Sequence, residues 1–184
     1  MTARPHTDLY LPDTIIRMEP GLPQRELTMT KIFTIQEANS LIPALEEVFR
    51  SIERRKDEVR NHVQKLSVLD LLWGTRVHEP ANPDYRAYIT HQRAIENEVS
   101  AIEGTIQEEI IRRGLRFPSG GLEHGLVDFP STFEGRVVYL CWQNGEPELG
   151  FWHESDAGFQ GRQPITEEHR LAMGKESDGG AFDL

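Results

Sequence analysis

TIQEANSLIPALEEVFRSIERRKDEVRNHVQKLSVLDLLWG, residues 34–74, is the stretch that decides the fold. It opens with Thr34-Ile35-Gln36-Glu37, a capping box in which the Thr34 hydroxyl accepts from the Glu37 amide and Glu37 reaches back. From there Ala38, Ile42, Leu45, Phe49, Ile52, Lys56, Val59, Val63, Leu66, Asp70 and Trp73 recur in alternating steps of four and three. That is a helical seam with two polar interruptions. Pro43 lies inside it and is expected to kink or break the first turns. Gly74 is the expected stop.

After a loop carrying Pro80 and Pro83, a second helix is expected from about Asp84 to Arg113, ended by Gly114. Its seam is Tyr88, Ile95, Val99, Ile102 and Ile106, with Gln92 in the polar slot. An antiparallel fold-back sets Val63 against Ile95, Val59 against Val99, Ile52 against Ile106 and Asp70 opposite Tyr88. The same register lays Arg50, Arg54, Arg55 and Arg60 beside Glu108, Glu103, Glu98 and Glu96. One alignment thus serves both the apolar seam and the charges, which predicts an intramolecular helical hairpin. Leu66, Val68, Leu69, Leu71, Leu72 and Trp73 cover more of the helix than one partner stripe can bury. A second copy of the chain is the preferred cover, and a fold-over of the 74–83 loop is the alternative.

Beyond Gly114 the period changes from helix to strand. Arg136–Trp142 and Leu149–His153 are rich in β-branched and aromatic residues, and Asn144-Gly145 lies between them as a two-residue hairpin signal. That turn would pair Leu140 with Leu149, Val138 with Phe151 and Arg136 with His153. Leu115-Arg116-Phe117 and Leu126–Phe129 are further candidate strands. The predicted class is α+β: a long, coiled-coil-like antiparallel hairpin over 31–114 and a small antiparallel β unit over 115–166. Residues 1–30 and 167–184 read as disordered tails. Met29 stands directly before the patterned region and is a candidate start.

Across the 184 residues the net charge is −10 and 27% of residues are charged. Such a balance disfavours nucleic acid, whose phosphates draw on Lys and Arg, and disfavours an anionic membrane surface. The basic run at 50–60 is matched by acids of the second helix, so it reads as a self-neutralised face. A single cysteine excludes an internal disulfide and fits a reducing cytoplasm. Residues 1–20 lack the apolar core of a secretory signal.

Two of the three tryptophans, the cysteine, and several His, Arg and Asp residues crowd into the β unit. Asp128, Arg136, His153 and Arg162 are the candidate ligand-binding residues, with Trp142 or Trp152 as an aromatic wall. Each has a plainer reading: a strand-end histidine on backbone, an aspartate paired with arginine, tryptophans in core packing. His124, Asp128, His153 and Glu154 are candidate metal ligands, although their spacing matches no compact motif. Cys141, mid-strand beside Trp142, reads as a buried small hydrophobe rather than a nucleophile. Ser119-Gly120-Gly121 and Gly158–Arg162 offer amides to an anion but lack the strand-to-helix setting of a phosphate loop.

Phe33–Asn39 with Pro43, Gly125–Pro130, Leu140-Cys141-Trp142, Gly145-Glu146, Trp152-His153 and Gly158–Arg162 together resemble the bacterial domain of unknown function family 2203, over roughly residues 31–165. The resemblance implies a small cytoplasmic bacterial protein and brings no activity. The expected function is that of a non-enzymatic, self-associating scaffold or interaction protein, a homodimer without cofactor. The alternative is a small-molecule-binding protein or enzyme with an anion or metal site in the β unit.

Overall fold

The computed structural model describes residues 31–118 and 120–174. Both expected tails beyond those limits lie outside the described residues. Two long helices and a four-stranded antiparallel sheet make up the fold, α+β as the patterns predict. Helix α1 spans Ile35–Trp73 and α2 spans Tyr85–Glu109. A one-turn helix, α3, covers Gly121–His124. Strands β1 (Leu126–Phe133), β2 (Arg136–Gln143), β3 (Phe151–Glu154) and β4 (Gln163–Pro164) follow. Helix α4, Glu167–Ala172, comes last. Among the described residues no helix is long and apolar enough to cross a membrane.

Contacts divide the chain into two compact units, one containing residues 50–106 and the other residues 31–49 and 107–174. The division cuts both long helices, so the first third of α1 and the end of α2 belong with the sheet rather than with the hairpin.

The capping box forms as the sequence implies. The Glu37 amide donates to Thr34 Oγ1 at 3.1 Å, and Glu37 Oε2 accepts from the Thr34 amide at 2.9 Å. The Thr34 hydroxyl also donates to Glu37 Oε2 at 3.0 Å, and the two bonds from the Thr34 amide and hydroxyl hold the Glu37 carboxyl below its usual value. Pro43 does not break α1. Its lost hydrogen bond and ring clash cost about 3 kcal/mol or more. Ala38, Ile42, Leu45 and Phe49, flanking it on one face, are all buried, and their burial at roughly 1.5–3 kcal/mol for each large side chain outweighs that cost.

In the hairpin unit, Val59, Leu66, Val77, Tyr88 and Ile95 form the buried core, with Val63, Leu69, Trp73 and Val99 packed on it. Residues of both predicted seams thus meet within one chain. Arg55 pairs with Glu98 across the helices at 2.7 Å, as the charge register requires. Arg60 pairs instead with Asp57 within α1, and Glu108 with Arg112 in the 3-10 turn just beyond α2. The turn of 3-10 helix at Gly74–His78 buries Val77 completely, and His78 meets Tyr88 edge to face at 4.8 Å. Trp73 Nε1 donates to Asp84 at 2.8 Å, tying the end of α1 to the start of α2. The loop therefore covers Leu66, Leu69 and Trp73. It leaves Val68, Leu71 and Leu72 at 55%, 87% and 64% exposure.

The sheet is a meander, β1-β2-β3-β4. The turn between β1 and β2 is Glu134-Gly135, both at positive φ (50° and 74°), so this is where the primed two-residue turn falls. It pairs Asp128 with Cys141 and Phe129 with Leu140. The Asn144-Gly145 hairpin expected from sequence is replaced by a longer connection. Leu140 pairs with Trp152 rather than Leu149, Val138 with Glu154 rather than Phe151, and His153 with Tyr139 rather than Arg136. The cause is that the 143–146 pair, which would start the ladder, is engaged elsewhere: the Glu146 carbonyl accepts from Trp142 Nε1 at 2.8 Å, and the Gln143 amide donates to Glu146 Oε2 at 2.9 Å. The Leu149 amide donates to Asn39 Oδ1 at 2.7 Å. An odd shift of register moves every β3 side chain to the opposite face.

Strand β1 is an edge strand whose outer side is closed by three separate segments. Phe33 N donates to Pro130 O, Arg116 and Asp128 exchange both backbone bonds, and Gly174 N donates to Thr132 O. The even-numbered residues of β1 turn their nitrogens to this outer side, so Pro130 costs the ladder nothing. The expected 115–117 strand is this single Arg116–Asp128 bridge. The stretch from 167, expected to be a tail, starts as α4 because Thr166 and His169 form a reciprocal capping box.

Candidate functional site

Strand register assigns each polar candidate to a face. Asp128, Cys141, Tyr139, His153 and Phe151 are cross-strand partners and share one face. Phe129, Trp142, Trp152, Arg136 and Glu154 belong to the other. That second face carries the core of the unit: Phe33 packs edge-on to Phe129 at 5.5 Å, and Phe49 tilts against Trp142 at 6.0 Å.

The six ligand-binding candidates therefore do not line one pocket. Trp142 and Trp152 are core residues. Trp152 clusters with Phe133 and His169, its ring centroid 5.7 and 5.2 Å from theirs. Arg136 is exposed and pairs with Glu154 at 3.0 Å and Glu134 at 3.2 Å. The proposed metal set also separates. His124 is exposed in α3, and the Glu154 carboxylate is on the opposite face with Arg136. Asp128, His153 and Arg162 remain on the first face.

There Asp128, itself fully buried, is the hub of a hydrogen-bond network. Its Oδ2 accepts from Arg116 Nε at 3.1 Å and its Oδ1 lies 3.3 Å from His153 Nε2. Asp128 and His153 have no exposed surface, and neither does Cys141. The other ring nitrogen of His153, Nδ1, lies 2.7 Å from the Glu154 carbonyl oxygen. A carbonyl can only accept, so Nδ1 carries a proton. Burial works against a charged imidazole. The hydrogen bonds to Asp128 and to the Glu154 carbonyl, with the charge of Asp128, outweigh it and hold His153 above its ordinary value. When protonated, His153 donates from both nitrogens, to Asp128 and to the Glu154 carbonyl.

Cys141 completes the group: the Asp128, Cys141 and His153 ligand atoms all lie within 4.8 Å of one another. Burial first, then the Asp128 carboxylate, push the Cys141 thiol up to about 12. A thiol so protonated is no nucleophile. Nor does His153 have a nitrogen free to take its proton, because both are committed. The arrangement is not a Cys–His catalytic pair.

Two arginines lie over this face. The Arg116 guanidinium is 3.4 Å from the centre of the Tyr139 ring, and Tyr139 stacks on His153 at 5.7 Å. Arg162 lies over Phe151 at 4.1 Å, is gripped by both Glu146 oxygens at 2.6 and 2.7 Å, and donates to the Cys141 carbonyl at 3.2 Å. Through one guanidinium nitrogen held by the Glu146 carboxylate and the Cys141 carbonyl, Arg162 clamps the 143–150 connection. Arg116, Cys141, Glu146 and Tyr139 escaped the sequence-based site list. The Glu134-Gly135 turn is the signal that would have found Cys141, since a two-residue turn there sets it opposite Asp128.

Comparison with curated proteins and with solved structures finds no match. A family model does match, over residues 31–165, which takes in α1, α2 and all four strands. On that match the chain belongs to the family described as uncharacterized conserved protein, DUF2203.

Proposed function

We propose that the protein is a non-enzymatic scaffold of the bacterial cytoplasm that associates with a second copy of itself through the end of its helical hairpin. One observation carries this reading. Val68, Leu71 and Leu72, at i, i+3 and i+4 on α1, are each more than half exposed. They form a stripe in a chain of net charge −10 and mean hydropathy −0.51. Scattered exposed leucines are ordinary, but three on one helical face form a patch of the kind that marks an interaction site. A two-fold contact needs only one self-complementary patch, and antiparallel apposition of this stripe on itself satisfies that condition.

The second expectation, a ligand site behind Asp128, draws support from the buried network alone, which offers donors but no catalytic pair. Size-exclusion chromatography with light scattering separates the readings. A dimer that Leu71→Asp converts to a folded monomer is the expected result. Leu71 is the residue to change because Leu69 is part of the hairpin's own packing. A wild-type chain that is monomeric at every accessible concentration, or a dimer indifferent to Leu71→Asp and Val68→Asp together, would overturn the proposal.

A further inference from the structure

We infer that Asp128, Cys141 and His153 form a binding site for one divalent transition-metal ion of the zinc class. The inference goes beyond self-association and does not depend on it.

The donor set is the first support. A carboxylate oxygen, an imidazole nitrogen and a sulfur converge from three adjacent strands, β1, β2 and β3, each at a cross-strand pairing position. Sulfur and imidazole suit zinc and its neighbours and exclude magnesium and calcium, which take oxygen ligands. Metal bonds of about 2.0–2.3 Å in a tetrahedron separate ligand atoms by roughly 3.3–3.8 Å. His153 Nε2 and Asp128 Oδ1 already stand 3.3 Å apart, and a side-chain adjustment of about an ångström brings the sulfur in from within its 4.8 Å limit.

The second support is the surrounding shell. Ligating histidines characteristically donate their other ring nitrogen to a carbonyl or carboxylate, which fixes the tautomer and aims the free nitrogen at the metal. His153 does this through Nδ1 and the Glu154 carbonyl at 2.7 Å. Asp128 is likewise oriented, its second oxygen held by Arg116 at 3.1 Å.

The nearby Arg116 raises the question of charge. Ligation needs a thiolate and an unprotonated Nε2, so a metal displaces the Cys141 thiol proton and, from a charged His153, the Nε2 proton. Binding is M²⁺ + Cys–SH + His–H⁺ + Asp⁻ giving the tri-ligated ion and two free protons. A dication enters as two protons leave, so the charge facing Arg116 does not change. Three protein ligands leave a fourth position for water or another small donor, the ligand count of catalytic rather than structural zinc sites.

The test uses the full 184-residue chain without a histidine tag, unfolded in urea and refolded with cobalt(II) under reducing conditions, so that burial does not bar entry. One cobalt per chain is expected, with a thiolate-to-cobalt charge-transfer band and intense tetrahedral visible absorption, both erased by added zinc. Cys141→Ser is nearly isosteric and should remove the charge-transfer band. His153→Gln should weaken cobalt binding at least tenfold. Absence of the band in refolded wild-type chain would overturn the inference without recourse to any variant. So would cobalt bound with equal strength by wild type and by the Cys141→Ser, His153→Gln double variant. Neither result bears on the oligomeric state.

Discussion

Asp128→Asn removes one charge from the buried network and leaves its shape almost unchanged. In metal-free protein the carboxylate answers Arg116 at 3.1 Å and the His153 imidazolium at 3.3 Å, within a site of no exposed surface. An asparagine can satisfy the same partners only when His153 is neutral. Its carbonyl then accepts from Arg116, and its amide donates to Nε2, while Nδ1 keeps the Glu154 carbonyl. Losing one partner of a buried ion pair costs about 3–5 kcal/mol. Arg116 is 39% exposed, so its share is small and the His153 pair dominates. The sign of the pH dependence follows. The folded value of His153 is raised, so its contribution is fully present below the unfolded value of about 6.5 and is lost as pH rises through the folded value. The variant should therefore fall furthest behind wild type below about pH 6.5, with a drop in Tm of roughly 6–20 °C at 2–4 °C per kcal/mol. The gap should narrow in alkaline buffer. Urea and thermal unfolding, followed by tryptophan fluorescence with a chelator present, measure both. An equal loss at the two pH extremes, or a larger one in alkali, would refute the charged-histidine reasoning.

Two further predictions concern other parts of the molecule. Glu134 adopts φ of 50° in the β1–β2 turn, where a side chain longer than Asn is disfavoured. Glu134→Asn should therefore raise stability by up to about 1 kcal/mol in urea titration, its exposed pair with Arg136 contributing little. In the hairpin unit, the Nδ1 atoms of His62 and His91 stand 2.9 Å apart. Partial burial, then His62 and Lys65, hold His91 below its ordinary value. Stability from this pair is complete above about pH 6.5 and lost as pH falls through the lower folded value. His91→Gln should flatten that acid limb in amide hydrogen exchange of α1 and α2, and an unchanged limb would count against it.

The helices were legible because their signals are local and repeated. The Thr34 box, the three-four seam and Gly114 each act over a few residues, and a register that satisfied seam and charge together found the Arg55–Glu98 pair. Pro43 misled because a propensity penalty yields to packing that only the folded chain supplies. The sheet was legible as a sheet but not in register. Asn144-Gly145 outranks Glu134-Gly135 as a turn signal, and its 143–146 turn bond forms, yet the Trp142 indole takes the Glu146 carbonyl and the Glu146 carboxylate takes the Gln143 amide, the two groups whose bond would carry the turn into a ladder. The error moved His153 to the wrong face and beside the wrong arginine. Asp128 and His153 were picked out by residue type alone. Their meeting with Cys141 depended on two registers being right at once, and Arg116 reaches them through a single bridge that has no periodicity.

The three clasps along the outside of β1 come from positions 33, 116 and 174, the beginning, middle and end of the described chain. A nascent polypeptide emerging from the ribosome would hold that border only in part until its last clasp arrived. Thr132 would meanwhile offer its bare carbonyl to any passing strand. The final clasp also lies past residue 165, where the family match stops. Gly174 fits it for lack of a side chain, since a Cβ there would overlap the Phe33 carbonyl. A fragment trimmed to residues 31–165 would keep the clasps at 33 and 116 but leave the Thr132 end of the margin permanently open. It should precipitate at concentrations the 184-residue chain tolerates.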